Sequence, residues 1–457
     1  MLTILANRRF RHLFAAQVLS LLGAGLATFA LALLAYDLAG ADAGVVLGTA
    51  LAIKMLAYVF VSPIAGAIAA RFPRRSFLIT LDLCRASMVM LLPFVTATWQ
   101  IYVLVFLFQS FSAAFTPAFQ ATIPEILKDE RDYTRALSLS RLAYDMESLL
   151  SPALAALLLT VVSFQWLFFG TTLGFLLSAL LVLSVSLPVA LKSKLADDSF
   201  RSRLIRGLRI YQATPRLRGL FALCLAVATA SAMVIVNTVV WVRDILGGSE
   251  HSVALFFMAY GGGSMLVALL LPRLLESLPD RRVMLSGAVM VTVSLAAAVT
   301  MPGVIASLAL WFCFGIGNAL MQTPAGRLLA RSAHAEDRPA LYATHFALSH
   351  ACWLLTYPLA GWLGVWLGLP ITFLIMAVLA AVAGIMARQL WPQESSQELE
   401  HDHPPLDHAH WHVHDEHHRH DHEGWEGPEP HAHPHRHAPL RHRHVYLIDD
   451  HHPTWPR

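Results

Sequence analysis

Apolar residues run in long blocks along this chain, and a helical crossing of a bilayer core takes roughly 20 of them. Twelve such blocks succeed one another, near 13–38, 45–70, 76–95, 100–122, 140–162, 165–188, 219–241, 252–272, 283–301, 303–328, 341–364 and 369–389. They predict twelve transmembrane helices. The first block is too long for a signal-peptide core and is expected to stay as a membrane helix.

The polar interruptions are as ordered as the blocks. Arg8, Arg9 and Arg11 precede the first span, Arg71, Arg74 and Arg75 follow the second, and Lys128, Arg131 and Arg135 follow the fourth. The same side receives Lys192, Lys194, Arg201, Arg203, Arg206 and Arg209 after span six. It also receives Arg273, Arg281 and Arg282 after span eight, and Arg327, Arg331 and Arg338 after span ten, whereas Arg243 stands alone on the other side. Short loops rich in Lys and Arg remain cytoplasmic. Both termini are therefore expected in the cytosol, in a multi-pass protein of a bacterial inner membrane.

Composition agrees: 56% of the 457 residues are hydrophobic and only 14% charged, beyond what a soluble domain carries. The net charge is +3, with basic residues dispersed among apolar segments, so nucleic acid is not an expected partner. Cys84, Cys224, Cys313 and Cys352 all fall inside apolar blocks and read as small packing residues.

After the last block the chain changes character. Residues 401–457 hold 18 of the 23 histidines, interleaved with Asp, Glu, Pro and Arg and without any Cys. The candidate metal ligands are His401, His403, His408, His410, His412, His414, His417, His418, His420, His422, His431, His433, His435, His437, His442 and His444. Imidazole with nearby carboxylate suits nickel, cobalt, zinc and copper(II), and the lack of thiolate disfavours copper(I). So polar a segment has too little apolar surface to offset the entropy of ordering, which predicts a disordered, metal-collecting tail over 391–457.

The chain also repeats itself at a shift of about 207 residues. Arg74-Arg75 meets Arg281-Arg282, and Thr116-Pro117-Ala118 meets Thr323-Pro324-Ala325. One residue out of step, Pro152-Ala153-Leu154-Ala155 meets Pro358-Leu359-Ala360-Gly361. The expected organisation is a six-helix bundle over 1–188, a cytoplasmic linker over 189–218, a second six-helix bundle over 219–390, and the tail. Parallel repeats of this kind belong to transporters that rock two halves around a central site.

With these residues in place, the body resembles the major facilitator superfamily. The loop Gly66-Ala67-Ile68-Ala69-Ala70-Arg71-Phe72-Pro73-Arg74-Arg75 is similar to that family's signature, with Ala70 where an Asp usually stands and Pro73 where a Gly does. Ser151-Pro152-Ala153-Leu154-Ala155-Ala156 is similar to its exporters' Gly-Pro motif. The stretch from Ser112 to Glu125 is similar to the branch holding siderophore exporters. Together with the His-rich tail, the resemblance is to the nickel-resistance exporters of the superfamily. It implies an all-α membrane fold and efflux rather than enzymatic catalysis.

Charged groups in hydrocarbon are costly and mark pathways or relays. The candidates for transport and coupling are Lys54, Asp82, Arg85, Asp145 and Glu147, with His345 and His350 as further metal ligands. Asp145 and Glu147 are roughly 200 degrees apart around a helix, so one lines the cavity; Glu147 is the deeper, and it is the expected substrate contact beside its role as a metal ligand. Asp145 is spaced to pair with Arg141, and Asp82 with Arg85. Lys54 needs a carboxylate, Glu147 or Asp82, and a pair broken by protonation is a coupling switch. Gln109, Asn237, Asn318 and Gln322 are placed as helix glue or cavity lining.

No P-loop motif is present, so an ion gradient, protons, is the expected drive. The function expected is efflux of nickel, with cobalt beside it, by a monomer that carries no prosthetic group. Divalent metal is both substrate and tail ligand. Two alternatives are a drug or siderophore exporter whose tail senses or buffers metal, and a membrane-tethered metal-storage or sensing protein.

Overall fold

The computed structural model describes residues 2–69, 72–127, individual positions between 132 and 155, and then 157–187, 200–334 and 337–393. It also describes four tail strands, together with Ile448 and Trp455. At 2–3, 62–69, 117, 120–121, 124–125, 200–204, 272, 339 and along the strands, the description is of the backbone only.

Four helices open the body: α1 (Arg8–Ala39), α2 (Ala43–Ala69), α3 (Arg74–Leu91) and α4 (Thr98–Ile126). Asn7 starts α1 by accepting hydrogen bonds from the backbone N–H groups of Arg9 and Phe10, and Gly40 ends it at φ +53°, where a side chain would be strained. The fifth expected span falls largely outside the described residues; within it Ser140, Ala143, Glu147, Ser151, Ala155 and Leu158 are helical. Next come α5 (Gln165–Leu183), α6 (Phe200–Ala213), α7 (Pro215–Val240), α8 (Glu250–Ser277), α9 (Asp280–Ala298), α10 (Val304–Gln322), α11 (Ala325–Ala330), α12 (Arg338–Trp366) and α13 (Leu369–Leu390). A π turn, Trp241–Ile245, extends α7.

Among the described residues, nine stretches are long and apolar enough to cross a membrane, and Arg8–Val61 is a single stretch that covers α1 and most of α2. Large apolar side chains line their outer faces, such as Leu173, Leu176 and Leu180 on α5 and Ile371, Leu374, Val378 and Val382 on α13. In water those stripes would be a liability; in lipid they are the solvated surface.

The packing occurs twice. In the first half α1 packs on α5, α3 on α4 and α5, and α2 on α4; in the second, α7 packs on α13, α9 on α10 and α13, and α8 on α10. Between the halves the main junction is α2 against α12. Among the described residues, the two equivalent bundles thus meet mainly along this helix pair.

Three expectations change. The block 303–328 is not one helix, because the chain turns at Thr323 and Pro324 between α10 and α11; proline lacks the N–H and restricts the residue before it. The connection 189–218 holds α6, and α7 begins at Pro215 rather than at 219. The tail, expected as disordered chain, forms β1 (Glu398–His403), β2 (Leu406–His412), β3 (His431–His437) and β4 (Leu440–Val445). β1 pairs antiparallel with β4, and β2 with β3. Alternation of His with other residues gives these segments the period of two that a strand needs.

Candidate transport site at the junction of the halves

Lys54 stands on α2, one turn before Tyr58. Its ammonium acts electrostatically on two groups, Glu147 in the N-terminal half and His350 on α12 in the C-terminal half. One cation therefore addresses a carboxylate and an imidazole from opposite sides of the junction.

Glu147 is seated against a glycine. A Cβ added at Gly25 of α1 would overlap the Ser151 side chain and lie 2.6 Å from Glu147 Oε1, so the helix that bears both residues approaches α1 at a glycine.

His350 lies in an aromatic surround. Its ring stacks on Phe346 at 3.8 Å and on Tyr58 at 5.8 Å between centroids, and meets Trp353 edge-on at 5.4 Å. Nδ1 lies 2.7 Å from the Phe346 carbonyl oxygen. A carbonyl only accepts, so Nδ1 carries the proton and Nε2 carries the ring's lone pair, the atom a metal would need.

A cavity of about 90 Å³ adjoins Lys54 and Tyr58, with Gln17, Ser20, Gln109 and Arg85 among its polar lining. Drug-sized pockets run to ~300–1,000 Å³. This one is smaller, and its lining comes from the first half alone.

Asp82 and Arg85 form a buried ion pair on α3. Ser178 of α5 donates to Asp82 at 2.8 Å, Arg85 donates to Ser20 of α1 at 3.1 Å, and the Arg85 guanidinium lies 3.9 Å over the Phe115 ring of α4. The pair joins four helices and acts as a structural knot, and it leaves Glu147 rather than Asp82 as the carboxylate acting on Lys54.

His345 is tied elsewhere. Its Nδ1 lies 2.9 Å from the Tyr211 hydroxyl on α6, with the rings stacked, and Arg206 of α6 pairs with Asp337 at 2.6 Å. Burial pushes the Tyr211 phenol up from its ordinary range. His345 thus anchors the connecting helix to α12.

Of the polar candidates, Asn237 donates to the Ala360 carbonyl at 3.0 Å, and Asn318 to Ser231 and Tyr260. Both are glue between helices. Gln109 lines the cavity. Asp145 and Arg141 lie outside the described residues, as do His414, His417, His418, His420 and His422. Among the described side chains, no three of His, Cys, Asp and Glu come together closely enough to hold a metal ion.

One end of the junction is sealed. Gly44 and Gly48 of α2 meet Gly361 and Tyr357 of α12 so closely that a Cβ at Gly48 would lie 2.6 Å from the Tyr357 carbonyl oxygen. Trp362 donates to Thr49 at 3.2 Å, Tyr36 donates to Asp244 in the π turn, and Arg243 lies 5.3 Å over the Tyr36 ring. These contacts sit at the end bearing the turns after Ala39 and Trp366, away from the Arg-rich loops. Sequence reasoning missed Tyr58, Phe346 and Trp353. The signal available was spacing: Tyr58 is four residues from Lys54, and Phe346 and Trp353 lie four before and three after His350.

Known proteins place this architecture. The bacterial homolog of the human lysosomal transporter Spinster, in its inward-facing and unoccupied conformation, matches with a TM-score of 0.65 at 14% identity, over 84% of this chain and 97% of that one. A POT family transporter in complex with 5-aminolevulinic acid matches at 0.66 and 13% identity, over 83% and 95%. By sequence, the uncharacterized MFS-type transporter YfiS of Bacillus subtilis (strain 168) is 25% identical over 46% of this chain and 51% of its own length. Macrolide efflux protein A of Streptococcus pyogenes is 26% identical over 48% and 54%. The chain thus spans about half the length of these two relatives. The Major Facilitator Superfamily model matches residues 13–238 and 220–414. With two equivalent helical bundles packed together through α2 and α12, the chain belongs to the Major Facilitator Superfamily of membrane transporters.

Proposed function

We propose that this transporter exports a divalent cation, nickel with cobalt beside it, from the cytosol by alternating access coupled to protons. The observation that carries the reading is the position of Lys54, which acts on Glu147 of one half and on His350 of the other. A divalent ion reaching Glu147 and His350 Nε2 gains oxygen and nitrogen ligands of the type that borderline metals favour. Its charge displaces the ammonium of Lys54. Protonation of Glu147 removes the carboxylate's charge and releases the ion, so proton entry and metal exit compete for one group. Both termini in the cytosol place the His-rich tail where metal is captured, and tethering raises its local concentration at the mouth.

A second reading follows from the similarity to macrolide efflux protein A: export of a small organic molecule.

The test is metal content in cells with and without the protein, across nickel, cobalt, zinc, copper and iron. Lower nickel and cobalt, restored by Glu147→Gln, is the expected result. Equal content of all five metals overturns the reading, and resistance to a macrolide without any change in metals moves it to the second.

A further inference from the structure

The tail's histidines are sorted by register. In the ribbon of β2 and β3, His408 stands opposite His435, His410 opposite His433, and His412 opposite His431, with His437 opposite Leu406. Positions of one parity share a face. Seven histidines therefore occupy one face of this ribbon. The other parity carries Asp407 opposite Arg436, Ala409 opposite Pro434 and Trp411 opposite Ala432.

The ribbon of β1 and β4 repeats the sorting. His401 stands opposite His442 on a face shared with His403 and His444, while Glu400 stands opposite Arg443 and Asp402 opposite Arg441 on the other. A slip by one residue in this ribbon would set His401 against Arg441 or Arg443 and His442 against Glu400 or Asp402, and would separate the acids from their arginine partners. Opposed pairs of unlike charge stabilise a ribbon by about 0.2–1 kcal/mol each, and like pairs destabilise it.

We propose that the tail is a register-defined β ribbon whose histidine faces bind divalent metal at cross-strand rungs, held in register by the acid–arginine pairs on the reverse faces. Directly opposed positions in a ribbon have Cβ atoms about 4.5–5.5 Å apart, and rungs on one face follow at about 7 Å, so the backbone register brings histidine positions of two neighbouring rungs within the span of one metal site. Borderline divalent ions accept such a set. An isolated two-stranded ribbon is marginal in water, so metal binding and strand pairing support one another. The tail is also held at both ends: Arg281 donates to the Trp391 carbonyl at 2.7 Å where the tail leaves α13, Ile448 is buried, and the Arg216 guanidinium lies 5.5 Å over the Trp455 ring.

The proposal rests on the reading of the tail as a metal binder and goes beyond it, because a disordered collector has no register. The test uses the full-length protein in detergent without any gradient and Ni²⁺ alone as probe, so its failure leaves the export reading to the cellular assay. Backbone hydrogen exchange should slow within 398–412 and 431–445 on adding Ni²⁺. The paired exchange His410→Trp with Trp411→His keeps composition and breaks parity, and should weaken Ni²⁺ binding roughly tenfold. Asp407→Arg and Arg436→Asp should each weaken it, and the double reversal should restore it. Plain electrostatics predicts instead that Arg436→Asp strengthens binding. That result, an unchanged affinity in the parity exchange, or exchange rates indifferent to Ni²⁺ would overturn the proposal.

Discussion

The ring of Tyr58, on α2 of the first half, stacks against that of His350, on α12 of the second, with centroids 5.8 Å apart and planes 17° apart. The contact joins the halves beside Lys54, and any rocking of one half against the other changes it. Tyr58→Phe keeps the stacked face and should retain near-normal metal efflux. Tyr58→Leu should lower the initial rate of Ni²⁺ uptake into inverted vesicles roughly tenfold, an aromatic contact being worth about 0.5–1.5 kcal/mol beyond its area. Equal rates in the two variants would show that the stack is incidental.

Lys54→Met removes the charge that Glu147 and His350 share. Ni²⁺ should still bind, while its movement loses dependence on an imposed pH gradient. Uptake measured with and without the gradient checks this, and a gradient response equal to that of the unaltered protein would exclude Lys54 from coupling.

At the sealed end, Thr49 and Trp362 are joined by a hydrogen bond of 3.2 Å between α2 and α12. Replacing them together, Thr49→Cys with Trp362→Cys, should allow a short bifunctional thiol reagent, bridging the gap left by the indole through two mixed disulfides, to hold this end shut. Transport should stop on cross-linking and return on reduction. Continued turnover in the cross-linked protein would mean that the seal does not open during the cycle.

Asp82 is fully buried against Arg85. Asp82→Asn removes the carboxylate charge that pairs with Arg85, a loss of about 3–5 kcal/mol for a broken buried pair. A lower Tm in detergent with the ion's affinity unchanged is the expected outcome. A normal Tm with lost proton coupling would instead place Asp82 in the relay.

On the proposed reading, in which the tail only raises local concentration, deleting 400–457 should raise nickel sensitivity by about threefold to tenfold without abolishing efflux. Growth at graded nickel checks this. Complete loss would place the essential site in the tail.

The sequence by itself carried the apolar blocks, their repeat at about 207 residues and the side on which the arginines gather, because a bilayer constrains hydrophobicity and charge residue by residue. It also carried the Asp82–Arg85 spacing and the two-residue rhythm of the tail histidines. It left open which carboxylate acts on Lys54, because helical spacing names a face and not what stands across from it. Only packing set Glu147 beside Gly25, turned His345 toward Tyr211, and joined His350 to Tyr58. The tail's register was likewise decided through space: alternation allows a strand, but which histidine stands opposite which depends on a pairing between residues far apart in the chain. For the same reason composition predicted disorder there, since it records how little apolar surface the tail has and not how its charges and imidazoles align.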